Sequence, residues 1–285
     1  MILDKEKNNM TDLAWRKLHE RIEKDGLLDI GPEGKRVVRF SNRIAVRWAA
    51  AIVLITCATL YITRTDKDSG IDMLSIYNEE QTTLVKTLED GSVVYLAGGS
   101  EIKYPVKFKR NKRVISLKGD AFFEVAKNKK APFVIETKLM NIEVLGTSFN
   151  VKISDPSSTS LSVKTGKVKI TLKDGGASGN VSAGETAMIK DKYVNVMPTK
   201  DLKQFSNYTD QIHFKDEKLI NVVNVINRMS GRGATGLSLE IAPGIEGRLL
   251  TATFTENSAE SIAKMICIVL NLKYEIKGDL LLIYE

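Results

Sequence analysis

The sequence predicts a membrane-anchored chain of mixed class: a short cytoplasmic helical segment, one transmembrane helix, an all-β domain and a small C-terminal α+β domain. Three observations predict it. Residues 44–62 are almost uncharged and follow a basic flank, residues 81–200 alternate apolar and polar with period two, and residues 211–285 place helical periods between strands. Composition agrees, since 285 residues with 43% hydrophobic and 27% charged can bury real cores and are too apolar for a disordered chain. The net charge of +7 is spread along the chain and no nucleic-acid module carries it, so no direct nucleic-acid contact is expected. With only Cys57, Cys267, His19 and His213, a Cys/His cage would need all four at spacings no metal motif uses. No metal and no cofactor is expected.

The apolar segment Ile44 to Ile62, IAVRWAAAIVLITCATLYI, holds a single charge, Arg47. As a helix it spans roughly 28 Å, close to a bilayer's hydrocarbon thickness. A buried core helix would show a polar face, and Trp48 to Ile62 offers only Thr56 and Thr59. A cleaved leader would be 43 residues long, with no small-x-small site after it. Lys35, Arg36, Arg39, Arg43 and Arg47 lie upstream, whereas Arg64 and Lys67 downstream are offset by Asp66 and Asp68. The positive-inside rule then places residues 1–43 in the cytoplasm and residues 63–285 across the membrane. Cys57 falls in lipid and Cys267 in an apolar helical stretch, so no disulfide joins them in this reading.

Within residues 1–43, Thr11 can cap a helix running to Lys24, on which Ala14, Trp15, Leu18 and Ile22 share a stripe about 100° wide. Gly26, Gly31, Pro32 and Gly34 then break the chain. A segment this short cannot bury the stripe on a core of its own. The stripe calls for a partner or for the surface of anionic lipid.

Residues 63–80 read as a linker and residues 81–200 as short strands. Phe149, Val151 and Ile153, then Leu161 and Val163, then Val168, Ile170 and Leu172 alternate with polar neighbours. Asp90-Gly91, Gly98-Gly99, Asp155 to Ser160 and Asp174 to Asn180 supply turns. The result is a sandwich or a stacked, solenoid-like sheet. Lys107 to Arg113, KFKRNKR, reads as a solvated hairpin tip in preference to a binding patch.

In residues 211–285 a strand at Ile212 to Phe214 precedes a helix from Glu217 to Met229 and a strand from Leu237 to Ile241. Leu249 to Phe254 opens a second round: Asn257 and Glu260 form a capping box for a helix to Leu270, and Lys273 to Lys277 and Leu280 to Tyr284 close a hairpin around Gly278-Asp279. Two β-α-β units make a small α+β domain. Leu280, Leu281, Leu282, Ile283 and Tyr284 read as a strand ending its sheet, whose free edge could accept a partner's strand.

LEDGSVVYLAGGSEIKYPVKF, RVISLKGDAFFEVAKNKKAPFVI, NIEVLGTSFNV, VKTGKVKI and SAGETAMI, in that order and spacing, resemble the periplasmic region of the FecR family of transmembrane anti-sigma regulators. The likeness covers roughly Thr83 to Met197, with Ala97 where many members carry Asn and Asp120 where Glu is usual. The tail from Phe214 to Glu285 is similar to the extra domain of the Bacteroidetes branch, related to the STN signalling fold, and Ala14 to Ile22 is similar to that branch's anti-sigma segment. The resemblance implies an inner-membrane signalling chain. A ligand-loaded outer-membrane TonB-dependent transporter would touch the periplasmic part through its signalling domain, and Ala14, Trp15, Leu18 and Ile22 would bind a cytoplasmic extracytoplasmic-function sigma factor. Some members of that family cleave themselves at a Gly-Thr bond, so Gly146-Thr147 is expected either to cleave by attack of the threonine hydroxyl on the preceding carbonyl, as a prelude to an intramembrane protease, or to be a tight turn between strands at Ile142 to Leu145 and Ser148 to Ile153.

Other chemistry is weakly supported by the residues. GRGATG, with Gly231, Gly233 and Gly236, follows a helix and precedes a strand, the reverse of a phosphate cradle. Glu124 and Glu143 are carboxylates without a spacing that pairs them for glycoside hydrolysis, and His213 alone makes no triad. The competing expectation is a membrane-anchored periplasmic structural or glycan-binding module.

Overall fold

The computed structural model describes residues 3–25, 52–53, 56–57, 72–155, 158–173, 175–190, 193–230, 237–255 and 258–285. The chain divides into two compact units, Met1–Ser69 and Gly70–Glu285. In the first, helix α1 spans Leu3–Lys24. It starts nine residues earlier than expected, so Thr11 lies inside the helix and does not cap it. Most of the apolar span at 44–62 lies outside the described residues. Among those described, Ile52, Val53, Thr56 and Cys57 are helical, and no helix is long and apolar enough to cross a membrane.

The second unit begins with β1 (Met73–Tyr77), β2 (Thr83–Thr87), β3 (Val93–Leu96), β4 (Glu101–Pro105), β5 (Arg113–Lys118), β6 (Ala121–Glu124) and β7 (Phe133–Glu136). It continues through β8 (Met140–Val144), β9 (Ser148–Asp155), β10 (Ser158–Thr165), β11 (Lys167–Leu172), β12 (Ser178–Ser182), β13 (Glu185–Lys190) and β14 (Tyr193–Pro198). A 3-10 turn at Lys203–Tyr208 leads to β15 (Gln211–Lys218), α2 (Leu219–Ser230), β16 (Ser238–Ile241), β17 (Leu249–Thr255), α3 (Ala259–Leu270), β18 (Lys273–Lys277) and β19 (Leu280–Tyr284). Among the described residues these strands form a seven-stranded sheet ordered β1-β4-β5-β7-β8-β11-β12, a nine-stranded sheet ordered β14-β13-β10-β9-β6-β3-β2-β15-β17, and a three-stranded sheet ordered β16-β19-β18.

The two large sheets face each other as a sandwich, which settles the alternative between sandwich and solenoid. Ile102, Phe133, Ile142 and Val168 from one sheet and Val94, Phe123, Phe149 and Val163 from the other fill a single core. The alternation in β11 maps directly, with Val168, Ile170 and Leu172 buried and Lys167, Lys169 and Thr171 exposed.

Strands β3 and β6 differ because every residue in both is buried. Val94 and Phe123 face the sandwich, while Val93, Tyr95 and Phe122 face a second core built with α2, α3 and the 3-10 turn. Covering both faces of a strand replaces alternation with a continuous apolar run. The C-terminal part joins this sheet through β15, which runs parallel to β2 with Ile212 opposite Thr83.

Several boundaries move. The stretch read as a linker contains β1, paired antiparallel to β4. Ser158 to Ser160 open β10, and Ser178 to Asn180 open β12 rather than forming turns. Helix α2 begins at Leu219 because β15 extends to Lys218, past a bulge at which Asp216 adopts φ 48°. The N-cap of α3 is Ser258, whose hydroxyl accepts from the Ser261 amide at 3.2 Å; Asn257 lies outside the described residues. Asn271, left-handed at φ 52°, ends that helix.

Candidate functional site

Residues 145–147 carry the chain from β8 in one large sheet to β9 in the other, so the Gly146-Thr147 peptide bridges the sandwich at one end. Both flanking carbonyls are held by the loop after β6: the Val125 amide donates to Thr147 O at 3.0 Å and the Asn128 amide to Leu145 O at 2.7 Å. Gly146 sits at φ +150°, and a Cβ there would meet the Lys127 Cα at 2.6 Å. On the other side, a Cβ on Gly166 would come within 2.9 Å of Thr147 Oγ1 and 3.1 Å of Gly146 O. Two glycines therefore let two chain segments close on this peptide. Thr147 is 3% exposed, and its hydroxyl donates to the Lys167 carbonyl at 3.1 Å. That carbonyl orients the oxygen but cannot take its proton at neutral pH.

The loop at 125–131 is pinned by Arg113. Its Nε donates to Ala131 O at 2.9 Å, and its Nη1 donates to Asp90 Oδ2 at 2.6 Å and to Ala126 O at 2.9 Å. The guanidinium also lies 5.3 Å from the centre of the Phe133 ring. Arg113 is 2% exposed and does not belong to the solvated tip that the run KFKRNKR suggested. A lone arginine ending a basic run carries no signal of burial. Only the matching Asp90 in the turn before β3 could have hinted at it.

The α1 stripe is open. Trp15 is 64% and Leu18 48% exposed, Ala14 is exposed and Ile22 is half-buried. Leu13 is also exposed, on another side of the helix. The helix therefore presents apolar surface that its own unit leaves uncovered among the described residues.

Strand β19 occupies the middle of its sheet, parallel to β16 and antiparallel to β18, which corrects the expectation that Leu280 to Tyr284 form a free edge. Leu281 and Ile283 are buried in the second core, while Leu280, Leu282 and Tyr284 are half-buried. The edges of this sheet are β16 and β18, and Ile276 on β18 is 47% exposed. The hairpin reading missed this because β16, whose residues pair with β19 from 42 positions earlier, returns beside it.

Sequence reasoning also missed Glu217. The bulge at Asp216 turns Glu217 inward to 2% exposure, where Lys86 Nζ donates to it at 2.8 Å and Asn221 Nδ2 at 2.6 Å. This pair links β2 to the start of α2. The two departures noted at Ala97 and Asp120 are neighbours: the Ala97 amide donates to Asp120 O at 3.0 Å, and Asp120 Oδ1 accepts from the Ile153 amide at 2.6 Å.

The remaining candidates do not converge. Glu124 is buried on β6 and Glu143 is exposed on β8 opposite Lys169, in different sheets. His213 Nδ1 shares a hydrogen bond with Thr253 Oγ1 at 2.9 Å. Gly231, Gly233 and Gly236 lie outside the described residues. Cys267 is buried and desolvation pushes its thiol up. Among the described residues no group of His, Cys, Asp and Glu could hold a metal ion.

Residues 78–169, about a third of the chain, match the family model of the FecR protein. The resemblance read from the motifs therefore holds over β2 to the start of β11. Two crystal structures of a candidate anti-sigma factor from Parabacteroides distasonis ATCC 8503, at 1.65 and 2.50 Å resolution, are similar to this chain. The first covers 74% of this chain and 99% of its own, at 22% identity and TM-score 0.44. The second covers 75% and 99%, at the same identity and score. No curated protein matches the chain.

Proposed function

Starting from a chain that carries a FecR domain at 78–169, we propose that the protein is a single-pass inner-membrane signal transducer that binds and regulates a cytoplasmic extracytoplasmic-function sigma factor. The family match carries this reading, and the uncovered stripe on α1 supports it. The N-terminus lies in the cytoplasm, residues 44–62 cross the membrane, and the FecR domain and C-terminal part lie in the periplasm. The stimulus is a ligand-loaded outer-membrane TonB-dependent transporter, whose signalling domain meets the C-terminal part. Strand addition at the β18 edge fits that contact, since backbone donors and acceptors there face no neighbouring strand among the described residues.

Self-cleavage at Gly146-Thr147 belongs to the same proposal. Thr147 Oγ1 attacks the Gly146 carbonyl carbon, the C–N bond breaks as the hydroxyl proton passes to the Thr147 nitrogen, and an ester joins the two halves. Water then opens the ester to a Gly146 carboxylate and restores the hydroxyl. The severed halves stay paired through the sheets until the transporter pulls, after which an intramembrane protease acts on the anchor. The chain turns over no separate substrate in this scheme.

Sigma binding tests the reading directly. Each apolar side chain of the stripe that becomes fully buried contributes about 1.5 to 3 kcal/mol. Full-length protein should co-purify with a sigma factor, and Trp15→Asp with Leu18→Asp should abolish the capture while leaving membrane insertion intact. Undiminished capture by the double variant would remove the stripe from the mechanism.

A further inference from the structure

The basic run at 107–112 has no part in the function proposed above, and the fold sets a second basic segment beside it. Residues 106–112 close the β4–β5 hairpin, and β5 runs parallel to β7 with Arg113 opposite Phe133. Both strands thus start at the same end of the sandwich, and the loop leading into β7 lies next to the hairpin tip. The Arg113 amide donates to Pro132 O at 2.8 Å, which joins the two segments. Lys107, Arg110 and Lys112 on the tip and Lys127, Lys129 and Lys130 on the loop are all exposed.

Among the described residues few acids answer them. Asp90 is engaged by buried Arg113, Glu89 accepts from the Phe108 amide at 3.0 Å, and Asp72 is exposed at the rim. The opposite end of the sandwich instead mixes Glu79, Glu80 and Asp120 with Lys138 and Lys173. A cluster of one sign repels itself and is stabilised by an anionic partner surface.

Chain entry identifies that surface. Met73 pairs with Pro105, and the Val106 amide donates to Asp72 O at 3.0 Å, so the second unit begins directly beside the hairpin tip. Only nine residues, 63–71, separate this point from the end of the apolar span at Ile62, a reach of at most ~30 Å. If residues 44–62 span a membrane, a connection of that length lets the six cations at the entry end of the domain reach lipid headgroups.

We propose that this basic end of the FecR domain docks on the anionic phospholipid surface of the membrane in which the chain is anchored. The proposal rests on the reading of residues 44–62 as a span. Docking turns the Leu145–Thr147 crossover, at the same end of the sheets, toward the bilayer, and leaves the far end free. A polybasic patch is attracted to anionic headgroups over about one Debye length, ~8 Å at physiological salt.

Limited trypsin digestion of the full chain in bilayer discs tests this, because the patch is made of cleavage sites. Discs of phosphatidylcholine alone are compared with discs holding ~30% phosphatidylglycerol, and cleavage after Arg110 and Lys129 is followed by mass spectrometry. In the anionic discs both sites should be cut about tenfold more slowly, and ~0.5 M salt should remove the difference. Cleavage after Lys138 and Lys173, at the far end, should be equal in both lipids. The triple variant Lys127→Gln, Lys129→Gln and Lys130→Gln keeps the Arg110 site, and its protection there should fall to about threefold or less. Equal rates at Arg110 in the two lipids, or protection that the triple variant leaves intact, would overturn the docking while the span stands. A chain that alkaline carbonate strips from the discs would overturn the span, and with it the docking.

Discussion

Gly146 and Thr147 make separable demands on their surroundings. Gly146 must lack a Cβ, because its φ of +150° and the 2.6 Å approach of the Lys127 Cα leave no room for one. Gly146→Ala should therefore lower stability by about 1 to 3 kcal/mol, read as a shift in denaturant midpoint. Thr147 loses only a hydroxyl bond to Lys167 O when changed to alanine, a cost of about 1 kcal/mol. If the peptide cleaves itself, purified residues 63–285 run as two bands on a denaturing gel with a new N-terminus at Thr147, and Thr147→Ala restores one band. A single band from the unaltered protein, after days at neutral pH, would leave the pair as a tight crossover. The motif was visible in the sequence as a Gly-Thr pair between two strands. The close approach of Lys127 and Gly166 was not, since those residues lie 19 and 20 positions away in opposite directions.

At the scale of elements, legibility followed how many faces a strand buries. Strand β11 buries one face and its alternation was plain; in β9 and β10 apolar residues facing the sandwich alternate with polar ones, of which Asn150 and Ser162 are also buried, bonded to Gln204 of the 3-10 turn. Strand β12, Ser178–Ser182, lies at a sheet edge with only Val181 buried, so its serines, glycine and asparagine read as a turn. The two-faced burial of β3 and β6 hid their share in the second core, because a short apolar run does not say what lies on each side. The same blindness to long-range pairing placed β19 at an edge, when β16 and β18 flank it. The correction moves the expected transporter contact to β18. Ile276→Asp, on its exposed face, should reduce ligand-dependent transcription several-fold with unchanged thermal stability. Full signalling by a well-folded Ile276→Asp protein would rule out that strand. Deleting residues 273–285 would be a poorer test, because it strips Leu281 and Ile283 from the second core.

Across the whole second unit, the nine-stranded sheet is a wall shared by two cores, so a force on the C-terminal part acts directly on the FecR domain. Glu217, between Lys86 of β2 and Asn221 of α2, is a polar tie across that wall. Glu217→Ala should cost about 1.5 to 3 kcal/mol, because it leaves Lys86 and Asn221 without their buried partner. Calorimetry should show that loss in one cooperative transition if the two cores unfold together; separate transitions would show that the shared sheet does not couple them.

The central claim is that one chain presents its partner-seeking helix on one side of a membrane and its FecR domain on the other. Topology reporters fused after Arg43 and after Glu285 test it most directly, with a phosphatase active only in the periplasm and a fluorescent protein that matures only in the cytoplasm. The expected result is fluorescence without phosphatase activity at Arg43 and phosphatase activity without fluorescence at Glu285. The same compartment reported from both positions would contradict the claim.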